Sequence, residues 1–229
     1  MNECNFTDKK KICLLLALFF WVVPIFVENF GITLMVKLFP QDLLKEYFDC
    51  VFYGTFFLVT IIVFGKLFIN AIKDFAIRYE SCLNWSALCV FITLVLMIAS
   101  AIILDSVGVD NSSNQESVDE AVTQYGLLPI ITVCFIGPIV EEIFYRGILF
   151  EMFKGKNKHL IRSTVAILST ALLFAFMHVS FRDISANELL ANIPIFMLGL
   201  TLATLRWKTD NILCPILVHI GINVISVFG

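Results

Sequence analysis

The run Pro138-Ile139-Val140-Glu141-Glu142-Ile143-Phe144-Tyr145-Arg146 sets two adjacent carboxylates and a guanidinium inside a stretch that is otherwise almost wholly apolar between positions 127 and 153. Later apolar stretches carry His178, and then His219 with Asn223. An ionisable side chain at bilayer depth costs about 2.5–3.5 kcal/mol on insertion scales. Glu141, Glu142, Arg146, His178 and His219 on three spans therefore call for a common cause. The simplest is one buried polar site that performs acid–base chemistry.

Working outward, composition sets the class. The 229 residues are 59% hydrophobic and 15% charged, with 23 Phe and a mean hydropathy of +0.90. Soluble domains are nearer 45–50% apolar, so an all-α polytopic membrane bundle is expected, as a single domain over residues 1–229. Seven apolar spans can be drawn, at about 12–37, 48–72, 85–104, 127–153, 163–181, 189–205 and 211–228. Each is near the ~20 residues that cross the hydrocarbon core. The first follows Lys9, Lys10 and Lys11 but lacks a small-residue cleavage site and runs past Pro24 and Glu28, which reads as a retained anchor. The net charge of −3 gives no reason to expect nucleic-acid binding. The seven Cys form no C-x-x-C pair and read as small residues facing lipid or core.

Basic residues fix an expected orientation. With the N-terminus in the cytoplasm, the inner segments hold twelve Lys and Arg, at positions 9, 10, 11, 66, 73, 78, 154, 156, 158, 162, 206 and 208. The outer segments hold three, Lys37, Lys45 and Arg182. Arg206-Trp207-Lys208 reads as an interfacial anchor, and His159 among Lys156, Lys158 and Arg162 as a solvated loop residue. At 1.5 Å per residue, Glu141 lies about 18 Å, His178 about 22 Å and His219 about 12 Å from the cytoplasmic edge, all near mid-membrane.

Helical spacing sharpens the site. Glu142 and Arg146 are i, i+4 and can pair on one face. That leaves Glu141, about 100° around the helix, to point into a cavity. Pro138 is expected to kink the span one turn earlier. His219 and Asn223 are also i, i+4, with Gly221 between them allowing close helix approach, and Phe174 one turn before His178 walls the pocket. Such a set suits hydrolysis. A carboxylate takes a proton from water that an imidazole orients, and a second imidazole and an amide donate to an oxyanion. The same Glu141, His178 and His219 would also hold Zn²⁺ with bound water as nucleophile. Both routes stay open, and no cofactor is otherwise called for.

Glu141-Glu142-x-x-x-Arg146, Phe174-x-x-x-His178 and His219-x-x-x-Asn223, in that order on successive hydrophobic helices, resemble the CPBP (Abi) family of intramembrane proteases, which groups CAAX-prenyl endopeptidases with bacteriocin-processing and self-immunity proteins. The resemblance covers residues 127–228, a four-helix catalytic core, and leaves residues 1–126 as three peripheral helices. A fainter match is Phe196, Gly199 and Ala203 on the helix between the two His spans. The resemblance implies that Glu141 and His178 activate water, that Glu142 belongs to the same catalytic pair, and that His219 and Asn223 stabilise the oxyanion. It implies a peptide or protein substrate in or at the membrane, while the compact chain with short loops suits a multi-pass protein of a bacterial inner membrane. Motifs of other membrane proteases (H-E-x-x-H, Gly-x-Ser-Gly, Gly-x-Gly-Asp) are absent from the sequence. Two further readings are a non-proteolytic immunity or signalling regulator that keeps the polar site for structure, and a small transporter or proton relay.

Overall fold

A computed structural model describes residues 41–110, 112–124, 126–155, 159–179 and 184–228. The expected span at 12–37, with Glu28, lies outside the described residues. The described residues are helical and contain no strand. Helix α1 (Gln41–Ile77) and helix α2 (Tyr79–Ser106) meet at Arg78, whose backbone (φ −111°, ψ 27°) leaves helical geometry. A short helix, α3 (Ser113–Gln124), follows, and the Oγ of Ser112 accepts from the Gln115 N–H at its start. Next come α4 (Leu127–Lys154), α5 (Leu160–Phe176), α6 (Ala186–Ala191), α7 (Ile193–Thr209) and α8 (Leu213–Phe228).

Among the described residues, four stretches are long and apolar enough to cross a membrane, Cys50–Ile77, Tyr79–Ser106, Leu127–Lys154 and Ala186–Thr209, while α5 and α8 are shorter apolar helices. All six expected spans after the first fall on helices. The boundaries differ where local pairing overrides hydropathy. The expected loop between spans two and three is almost wholly helical, because Arg78 bonds Asp74 one turn back and the helix continues on either side of it. The acidic loop from Asp105 to Gln124 contains α3, which hydropathy alone does not signal.

The bundle is layered around α4. Helix α7 packs against α5 and α2, α8 against α2, α7 and the middle of α4, and α1 against the first half of α4 and against α8. Helix α2 turns a narrow stripe inward, Cys82, Ser86, Cys89 and Thr93, spaced at helical periods, and presents Phe91, Val95 and Ile98 outward. Small and hydroxylated residues at such a seam let backbones approach where lipid supplies no hydrophobic drive. Thr93 donates to Thr201 of α7 across it, at 2.7 Å. All five described Cys are buried and free, as core residues rather than cross-links.

The end of the bundle where α4 and α7 finish is tied by charge. Arg206 bonds Glu151 at 2.7 Å and Asp210 at 2.8 Å, and Lys154 bonds Glu151 at 3.1 Å. Arg206 and Lys154 are both buried. The expectation of an interfacial anchor therefore fails for Arg206, which is held inward by two carboxylates. Lys208 is exposed and lies over the rings of Trp207 and Trp85. Alongside, the Asn211 side chain donates to Asp74 and to the Ala71 carbonyl, and Arg78 donates to the Thr209 carbonyl, joining α1 to the α7–α8 turn.

Candidate active site

Helix α4 carries the two carboxylates between irregular turns. Residues Thr132–Ile136 and Ile143–Leu149 are π-helical, on either side of the α-helical Gly137–Glu142. The Gly137 N–H reaches the Thr132 carbonyl and the Phe150 N–H reaches Tyr145, each five residues back. The expected disruption at Pro138 thus appears as a change of register. In that register the Val133 carbonyl would look to the N–H of residue 138, which proline lacks. The Asn223 side chain supplies the missing donor, Nδ2 to Val133 O at 2.9 Å. One of the two Asn223 N–H groups is thereby committed to backbone.

Glu142 and Arg146 form the expected pair, at 2.8 Å with both side chains fully buried. The same Glu142 oxygen, Oε1, lies 2.9 Å from His219 Nδ1. Arg146 Nη2 donates to the Gly199 carbonyl on α7 at 2.8 Å. Glu141 is turned another way, as the 100° offset requires. Its Oε1 accepts from the Tyr53 hydroxyl at 2.9 Å, and its Oε2 faces His219 Nε2 at 3.8 Å.

Phe174 is the ring around which these groups pack. It stands edge-on to Tyr145 and His219, with centroids 5.2 and 5.6 Å apart, and lies 4.6 Å from His178. The Arg146 guanidinium sits over its face at 4.7 Å. Gly199 makes this possible, because a Cβ there would stand 3.1 Å from the Phe174 ring and 3.2 Å from the Ala171 backbone. Ala203, one turn on, is fully buried. Gly221 is different. The space around its Cβ position is open, so the close approach expected there does not occur.

His178 is not inside a helix, contrary to the expected span 163–181. Helix α5 ends at Phe176, and the N–H groups of His178 and Val179 bond three residues back, to Ala175 and Phe176. That tighter turn leaves the Phe174 carbonyl to the His178 ring, Nδ1 at 2.7 Å. The imidazole is therefore a C-terminal cap for α5 as well as a wall of the site.

Hydrogen-bond logic sets the tautomers. A carbonyl oxygen only accepts, so His178 Nδ1 carries hydrogen and, in the neutral ring, Nε2 holds the lone pair. Glu142 paired to Arg146 is an acceptor, so His219 Nδ1 also carries hydrogen and its Nε2 lone pair faces Glu141. Of the three donors considered for Zn²⁺, Glu141 and His219 approach each other, while no ion pair or hydrogen bond links His178 to Glu141. Among the described residues no group of three His, Cys, Asp or Glu side chains gathers as a ligand set. The arrangement of donors does not fit a three-ligand metal site.

The motif residues thus divide. Glu141, Glu142, Arg146, Phe174 and His219 meet directly, His178 joins through Phe174, and Asn223 reaches the same helix at Val133. Tyr53 is the participant that motif reading misses. It sits on α1, 88 positions from Glu141, and a Tyr in a Phe-rich span carries no spacing signal.

Comparison with known proteins agrees with the motif segment. The chain is similar to an uncharacterised 24.3 kDa protein of Escherichia coli, 27% identical over 93 residues, which are 41% of this chain and 40% of that protein. The matched stretch therefore spans well under half of the relative's length. No solved structure matches the chain. Residues 123–225 match the sequence model of the type II CAAX prenyl endopeptidase Rce1-like family. That stretch holds every motif named above, and the match supports the likeness of this segment to the CPBP-type membrane proteases.

Proposed function

We propose that the chain is an intramembrane endopeptidase that hydrolyses a peptide bond brought to the bilayer by an apolar or lipid-modified segment, with water activated by Glu141. One observation carries the reading. Two acceptors, Glu141 Oε2 and the His219 Nε2 lone pair, face each other across 3.8 Å. A water bonded to both spends its two hydrogens on them and directs an oxygen lone pair away, towards an incoming carbonyl carbon. Glu141 takes one proton as the water oxygen adds to that carbon. The carbonyl becomes an oxyanion, and the uncommitted Asn223 N–H is the neutral donor available to it. Glu141 then returns the proton to the leaving nitrogen as the C–N bond breaks.

Glu142 and Arg146 act behind this pair. Glu142 holds His219 through Nδ1, which fixes the tautomer, and Arg146 holds Glu142 in place. His219 is thus read as a partner of the water, rather than only as an oxyanion donor. His178 Nε2 is a further proton acceptor at the wall of the site. No metal enters these steps. Glu141 lies 14 residues from one end of α4 and 13 from the other, so about 20 Å from either. That depth favours substrates that partition into lipid, prenylated C-terminal peptides or secreted-peptide precursors, in a bacterial inner membrane with the N-terminus cytoplasmic.

The test is cleavage by purified protein in detergent micelles. Wild type and Glu141→Gln are incubated with a farnesylated C-terminal peptide and with apolar precursor peptides, with and without chelator, and products are read by mass spectrometry. Product from wild type alone, in both chelator arms, is expected. Product from Glu141→Gln at the wild-type rate removes Glu141 from the chemistry. No product from any peptide favours the regulator reading, and loss of product with chelator alone restores the metal route.

A further inference from the structure

Tyr53 belongs to a helix outside the family-matched segment, yet it makes the only hydrogen bond that the described residues give to Glu141. Its ring passes 3.9 Å from the Cβ position of Gly137, one turn before Glu141, where Glu141 Oε1 lies 3.8 Å away. A Cβ at 137 would touch both only at ordinary van der Waals distance, and its tight contact would be the Thr132 carbonyl at 3.1 Å, so Tyr53 and Glu141 pack closely against the bare face of Gly137. Phe52 stands edge-on to Tyr53 at 5.6 Å and packs on Phe56, which fixes the ring on α1.

The consequence concerns the last torsion of Glu141. A glutamate carboxylate rotates broadly about χ3. Fixing one oxygen with a phenolic O–H orients the plane and so aims the other. With Oε1 on Tyr53, Oε2 is the oxygen that faces His219 Nε2. We propose that Tyr53 is a positioning residue for Glu141, so that α1 completes the active site by aiming the carboxylate at the water-binding gap. This rests on the reading of Glu141 as the base. Tyr53 itself need not touch substrate, and the part of the chain matched to the family lacks a component that the whole chain supplies.

The variant Tyr53→Phe removes one oxygen and keeps the ring. Two readouts on full-length protein in liposomes test it. The first is turnover of an internally quenched peptide bearing a farnesylated cysteine and three further C-terminal residues. In Tyr53→Phe, kcat is expected to fall about 10- to 100-fold, the cost of a misaimed group, with KM within about twofold. Val51→Ala, which changes an exposed residue beside Tyr53 on α1 and leaves the hydroxyl and its ring packing, is expected to stay near wild type.

The second readout needs no substrate. The infrared carboxylate band of Glu141 is isolated by subtracting Glu141→Gln spectra, once in the wild-type background and once in Tyr53→Phe. Loss of the phenolic donor is expected to move the band. An unmoved band, or an unchanged kcat, overturns the proposal. If wild type leaves the peptide intact, that substrate reading fails by itself, and the infrared comparison alone decides the role of Tyr53.

Discussion

At the scale of single residues, the Glu142 carboxylate decides more than its neighbour on the base side. One oxygen serves both Arg146 and His219, in a setting where all three side chains are at most 3% exposed. Removing one member of such a buried pair is expensive because the other stays charged. Arg146→Met is expected to cost about 3–5 kcal/mol. Adding Glu142→Gln to it should restore part of that loss, since both charges are then gone. Thermal unfolding of detergent-solubilised variants checks the order, with the double variant melting above Arg146→Met. A second residue-scale contrast separates two glycines. Gly199→Ala drives a Cβ to 3.1 Å from the Phe174 ring, and overpacking of that kind costs about 1–3 kcal/mol. Gly221→Ala meets open space and is expected to leave the melting temperature unchanged. Because Phe174 also carries His178, His219 and Arg146, Gly199→Ala is expected to lose peptidase activity as well, measured on the same peptides.

At the scale of elements, the helix that carries the site is held in an irregular register by another helix. Pro138 removes a donor, the π turn moves the vacancy to the Val133 carbonyl, and Asn223 of α8 fills it. Interhelical hydrogen bonds in membranes are worth about 0.6–2 kcal/mol, so Asn223→Leu is expected to cost that much. In a Pro138→Ala background an N–H returns at position 138, and the same substitution should cost less. A double-mutant cycle by unfolding of the four proteins measures the coupling. Additive costs would mean that the carbonyl has another partner in the variant. Here the limits of reading the sequence become visible. The i, i+4 pairs Glu142–Arg146 and Phe174–His178 and the inward stance of His219 were legible, because helical spacing alone brings such residues to one face. The π register was not, since a proline in a helix reads as a kink whatever backbone form the disruption takes. The helix end at Phe176 was equally hidden, as nothing apolar stops there and the stop depends on an imidazole capping its own turn.

At the scale of the whole molecule, the question is whether the four helices of the matched segment are sufficient. Their sequence carried the family's motifs, and residues 1–126 carried none, so the N-terminal helices were expected at the periphery. Packing gives two of them more to do. Helix α2 covers α7 and α8 through its stripe of small residues and the Thr93–Thr201 bond, and α1 brings Tyr53 to Glu141 and is tied to the α7–α8 turn through Asn211. None of these links has a sequence signature, because each joins positions about 90 to 140 residues apart and involves residue types common in any span. A chain truncated to residues 123–229 would take from Thr201 its donor on α2 and from the Asn211 amide its acceptors on α1, and would leave Glu141 Oε1 without its donor. Each stranded polar group costs free energy in hydrocarbon, where no water replaces the lost bond. The truncated chain is therefore expected to insert but to melt well below the full chain and to show no peptidase turnover. Co-expression of residues 1–122 as a separate chain should restore both properties if α1 and α2 act by docking. Size-exclusion chromatography followed by the peptide assay measures this. Full activity from residues 123–229 alone would return the site to four helices and reduce α1 to a lipid-facing support.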